Sequence, residues 1–94
     1  MSEEITNVEE TLFEFPCEFA IKAMGKHGGG ALEITVIEIV SRHAPDTHNH
    51  KVKSKPSKDG NYLSITVTIE ATSKKQLDAI YQDLTDHPHV LYAL

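Results

Sequence analysis

The sequence predicts an α+β domain in which two helices cover one face of a four-stranded antiparallel sheet. Three observations carry this reading. Between positions 62 and 71, Leu63, Ile65, Val67, Ile69 and Ala71 alternate with Tyr62, Ser64, Thr66, Thr68 and Glu70. That period of two suits a strand buried on one side only. Leu77, Ile80, Tyr81 and Leu84 recur at i, i+3, i+4 and i+7, the apolar stripe of a helix lying on a core. Leu32, Val36, Ile39, Val40 and His43 fall on a second such stripe. A chain of 94 residues has room for one core of this kind and no more.

The elements follow in order. The first 18 residues hold six acids (Glu3, Glu4, Glu9, Glu10, Glu14 and Glu18) and no base. Residues 1–11 are therefore expected to form an acidic, flexible tail, and 12–94 a single domain. Phe15-Pro16 is a break, because proline fixes its own φ and pushes the preceding residue towards an extended shape. Glu18 to Met24 reads as a strand, with Phe19, Ile21 and Ala23 on one face and Lys22 on the other. The segment Gly25-Lys26-His27-Gly28-Gly29-Gly30 ends it, since so many glycines favour irregular backbone.

Ala31–His43 is contested. Ile34, Thr35, Val36, Ile37, Ile39 and Val40 are β-branched and favour a strand. The helical period and a length of about 13 residues favour a helix, as do Arg42 and His43 at the negative helix end and Pro45 just beyond. The segment is expected to be helical. Asp46 to His50 is a polar loop. Lys51-Val52-Lys53-Ser54-Lys55 alternates as a short strand whose lysines suit a sheet edge. Pro56 to Asn61, with Asp59-Gly60, is a hairpin turn. Ser73 with Gln76 forms a capping box ahead of the last helix. After Pro88, Val90, Tyr92 and Leu94 are expected on one face of a final strand, alternating with His89, Leu91 and Ala93. The order β-α-β-β-α-β is that of the ferredoxin-like plait.

Composition narrows the function. Hydrophobic residues make up 39% and charged residues 24%, which is ordinary for a globular chain. The single cysteine, Cys17, rules out an internal disulfide framework and fits a reducing compartment. The acidic start MSEEITNVEE is unlike a signal peptide, and no apolar run approaches the ~20 residues of a membrane span. A cytoplasmic protein without membrane contact is expected. The net charge is −5, concentrated in the head, so general nucleic-acid binding is not expected. The sheet face bearing Tyr62, Ser64, Thr66, Thr68 and Glu70 has one tyrosine, too few for an RNA-stacking surface.

At this point several stretches resemble the YbeD-like family of small uncharacterised bacterial proteins. They are Phe13-Glu14-Phe15-Pro16-Cys17, Ile21-Lys22-Ala23-Met24-Gly25, Ser41-Arg42-His43-Ala44-Pro45, the run from Lys58 to Thr68, and Leu77-Asp78-Ala79-Ile80-Tyr81. The similarity spans roughly residues 12–94. It implies an α/β plait like the ACT regulatory domains of amino-acid metabolism, no established activity, and a link to lipoate metabolism. The sequence departs from the family pattern at Gly28-Gly29-Gly30 and at His48-Asn49-His50.

The candidate sites are few. Gly25, Lys26, Gly28, Gly29 and Gly30 lead from a strand into a helix start, where backbone N–H groups favour an anion. The resemblance to ACT domains implies a small-ligand role for that loop. It is neither a dinucleotide fingerprint nor a phosphate-binding Walker loop. Lys51, Lys53, Lys55 and Lys58 form the one dense basic run, suited to an acidic protein or to plain edge protection. His48-Asn49-His50 and His87-Pro88-His89 are both His-x-His, but no third ligand stands at a recognisable spacing, so no metal is expected. Cys17 has no activating base near it in sequence, and no catalytic residues or cofactor are expected. The expected function is a non-enzymatic regulatory or adaptor domain that binds a small metabolite or docks on a partner enzyme. The alternatives are a pure interaction module using the basic strand and, last, a metal-assisted enzyme. The open sheet and its edges would also allow a homodimer.

Overall fold

The structure is a computed structural model that describes residues 14–46 and 50–94. The expected acidic tail, residues 1–11, lies outside the described residues, as do His48 and Asn49. The elements are β1 (Cys17–Lys26), α1 (Ala31–His43), β2 (Lys51–Pro56), β3 (Tyr62–Ala71), α2 (Lys74–Asp86) and β4 (Tyr92–Ala93). They form one four-stranded antiparallel sheet in the order β2-β3-β1-β4, with the two helices of the described residues on one side. This is the expected ferredoxin-like plait.

β1 and β3 are the spine. They pair along their whole lengths, from Cys17 opposite Ala71 to Lys26 opposite Tyr62. β1 is longer than the sequence suggests, and Gly25 and Lys26 are its last residues rather than part of a loop. The reason is spatial. A Cβ on Gly25 would lie 2.3 Å from the His89 carbonyl oxygen and 2.9 Å from Leu32 Cδ1. Glycine there admits a second backbone against the strand, and does not break the strand. The connection to α1 instead uses Gly28, Gly29 and Gly30, whose φ angles of 137°, 73° and 76° are open to glycine at little steric cost.

α1 forms where the periodicity placed it. Leu32, Val36, Ile39 and Val40 are buried, while the surplus β-branched residues Ile34 and Ile37 point outward at 65% and 41% exposure. Burial of one stripe thus outweighs β propensity along this segment. At the start of α2, Ser73 Oγ accepts from the Gln76 N–H at 3.0 Å. The return half of the capping box is displaced by one residue, because Gln76 Oε1 accepts from the Thr72 N–H at 2.8 Å. Gln76 Nε2 donates to the His43 carbonyl at 3.0 Å, tying the end of α1 to the start of α2.

The last strand differs from expectation. Tyr92 and Ala93 stand opposite Met24 and Ala23, and Leu94 exchanges both backbone hydrogen bonds with Lys22. Val90 is buried, whereas Tyr92 and Leu94 are exposed, so the three do not share a face. The Val90 N–H closes a turn onto the His87 carbonyl at 3.0 Å. That turn shifts the phase, so Ala93 faces the helices and Tyr92 the open side. The core lies between the sheet and the two helices, with Ile21, Ile65, Ile69, Ile80, Leu84 and Val36 at its centre. Burying each such side chain contributes about 1.5–3 kcal/mol. All six residues of β2 are exposed, because the strand stands beyond the reach of the helix layer.

Candidate functional site

The strand register gathers charge that the sequence leaves scattered. Lys51, Lys53 and Lys55 of β2 stand opposite Thr68, Thr66 and Ser64 of β3. Lys22 and Lys26 of β1 stand opposite Thr66 and Tyr62 on the other side of β3. Residues directly opposite across a pair of strands share a face. All five lysines therefore lie on the side of the sheet that, among the described residues, no helix covers, around a centre of Ser64, Thr66 and Thr68. Lys58 sits apart in the β2–β3 turn. The acids on this face, Glu18 and Glu70, stand opposite each other at one end. Lys51 Nζ reaches Glu18 Oε2 at 3.7 Å with both side chains more than 70% exposed, a pair that contributes little in water. The face also holds two tyrosines rather than one. The phase shift in β4 adds Tyr92 to Tyr62, 46% and 41% exposed. Sequence reasoning missed Lys22, Lys26 and Tyr92 as members of this surface, although the alternation in β1 already placed Lys22 opposite the core.

The glycine segment forms part of a second feature. Lys26 and Gly28 line a cleft of about 500 Å³ with Ala31, Leu32, Pro88, His89 and Leu91. Gly29 and Gly30 make the turn into α1, where Gly30 caps the helix start without any side-chain hydrogen bond. Gly25 lies packed against Leu32 and His89. His89 was not singled out for this cleft in the sequence. Its Nδ1 lies 3.3 Å from Thr35 Oγ1, and its backbone is the close neighbour that Gly25 accommodates. His27 anchors the far side of the loop, with its N–H donating to the Asn61 carbonyl at 3.0 Å and Nδ1 3.1 Å from Gly60 O.

A third cluster joins the helices. His43 Nε2 lies 2.7 Å and Arg42 Nη1 3.3 Å from the same oxygen, Asp83 Oδ2, and Arg42 Nη2 lies 3.6 Å from Glu38. The hydrogen bond to His43, with the charges of His43 and Arg42, outweighs the opposing effect of burial and holds the Asp83 carboxyl below the usual aspartate range. His43, expected simply to meet the helix end, thus also fastens α1 to α2. His87 and His89 come together, ring centroids 5.0 Å apart. Among the described residues no three His, Cys, Asp or Glu side chains are placed to hold a metal ion. Among the same residues no helix is long and apolar enough to cross a membrane. Cys17 is half-buried against the edge of the core.

Residues 10–94 match the family model described as "Protein of unknown function (DUF493)". The chain is 48% identical to the UPF0250 protein NE1487 of Nitrosomonas europaea, over 92% of this chain and 98% of that one. It is 44% identical to a UPF0250 protein of Paraburkholderia phytofirmans, over 96% of this chain and 100% of the other. Among solved structures it is similar to the solution structure of protein HP0495 from H. pylori. The TM-score is 0.63 and the identity 18%, covering 87% of this chain and 85% of that one. At that identity the likeness supports the fold alone.

Proposed function

Because the chain belongs to the DUF493 family of proteins of unknown function, which supplies no activity to transfer, we propose a function from the geometry: a non-enzymatic adaptor or regulatory domain. It docks on an acidic surface of a partner enzyme through its open, lysine-bearing sheet face. One observation carries the reading. Five lysines converge on a single face that no described element covers in a chain whose formal net charge is −5. A local positive field on an acidic molecule steers association with one class of partner and repels others. The lone half-buried cysteine suits a cytoplasmic setting.

Affinity capture from native cells with the wild type and with K51E/K53E/K55E tests this. The three positions are exposed, so folding should change by no more than ~0.5 kcal/mol. The variant is expected to lose the captured partner. An unchanged set of captured proteins would sink the reading.

A second reading is favoured by the cleft beside the glycine turn. A small anionic metabolite there would lie between Lys26, the start of α1, which has no side-chain cap, and His89. It would bridge the end of β1 to the α2–β4 connection and so stiffen β4. Titration of amino acids, nucleotides and lipoyl compounds should then shift the amide NMR signals of Lys26, Gly28, His89 and Leu91 together. Signals that stay still throughout would remove the metabolite reading and leave the adaptor reading untouched.

A further inference from the structure

We propose that β2 accepts an added strand. An extended acidic segment of the partner protein pairs along Lys51–Lys55 and sets one carboxylate opposite each of Lys51, Lys53 and Lys55. This rests on the adaptor reading and adds the rule by which the partner is recognised.

β2 is the outer strand of the sheet, and β3 on its inner side is the strand it pairs with. Its residues are all exposed. Edge strands of this kind are templates for strand addition, in which the main chain supplies affinity and alternate side chains supply selectivity. The side-chain code is simple here. Every second residue is lysine and all three lysines share the open face, while Val52, 46% exposed, lies on the other side. Pro56 has no N–H to give a partner, so the ladder is bounded at Lys55. A second copy of β2 would set lysine against lysine, which is unfavourable. The charges that repel most strands therefore select one with acids at i, i+2 and i+4. Such a strand spans about 17 Å over five residues. Among the described residues Glu18, 3.7 Å from Lys51, is an exposed intramolecular competitor at one end.

The test uses the full chain and three synthetic peptides of equal length. One has glutamates at alternate positions, one has the same glutamates side by side, and one has lysines at the alternate positions. The alternating acidic peptide should shift the amide signals of residues 51–56 and bind about tenfold tighter than the clustered one. That estimate assumes each cross-strand charge pair is worth about 1.5–5-fold. K51E/K53E/K55E should lose this binding and take up the alternating lysine peptide instead. If the clustered peptide binds equally well, or the shifts fall on Lys22 and Lys26 rather than β2, strand addition is wrong while docking on the lysine face stands. It is also wrong if no acidic peptide perturbs β2 although K51E/K53E/K55E loses its captured partner. If no acidic peptide binds and capture is unchanged, both proposals fall.

Discussion

Gly25→Ala should destabilise the protein by about 3 kcal/mol, at the upper end of what overpacking costs. The added methyl would sit 2.3 Å from the His89 carbonyl oxygen, far inside contact distance. That oxygen belongs to backbone, so no side-chain rotation can relieve the clash. Either β1 bends or the α2–β4 connection moves away. Moving the connection would strain the bond from the Leu91 N–H to the Met24 carbonyl, 2.8 Å long. Gly28→Ala is the control. Nothing stands within 4 Å of a Cβ there, but φ is +137°, so the cost is about 1 kcal/mol of backbone strain. Urea unfolding of the two variants separates the effects. A Gly25→Ala protein within ~0.5 kcal/mol of the wild type would mean that the connection does not press on β1.

The second large effect is expected at Ile65. It is fully buried in β3, the strand that pairs with both β1 and β2, opposite Ala23 on one side and Ser54 on the other. Its small neighbours across the sheet cannot expand into a vacated space. Ile65→Ala should therefore cost about 2–5 kcal/mol, of which part is the cavity left behind. A domain of this size holds roughly 5–10 kcal/mol in all, so the variant should lose a large share of its stability. Val52→Ala, on the uncovered strand, should change stability by no more than ~0.5 kcal/mol. Chemical denaturation decides between these outcomes. A loss below ~1 kcal/mol for Ile65→Ala would contradict a helix layer closed over β3.

Much of this architecture was legible in the sequence because it depends on periodicity. The apolar alternation of β3 and the stripes of both helices are local signals, and they placed Ala31–His43 and Tyr62–Ala71 where the structure has them. What was not legible depends on residues far apart in the chain. Gly25 read as a breaker, since nothing in its neighbourhood announces that His89 will lie against it. The phase of β4 was lost because the turn closed by Val90 precedes the pairing and resets the alternation. Lys22 read as the outward residue of a strand and Lys26 as part of the glycine loop, and their convergence with Lys51, Lys53 and Lys55 exists only once the strands are in register. The bond from Gln76 to His43 likewise could not be foreseen, because that carbonyl comes within reach only after the helices dock.

That glutamine has a mechanical consequence. One amide group holds Thr72, ahead of α2, with its oxygen and the last turn of α1 with its nitrogen, and so it stitches the two helices at their seam. A disturbance that lifts one helix must tug on the other, which makes the helical layer a single lever instead of two independent arms.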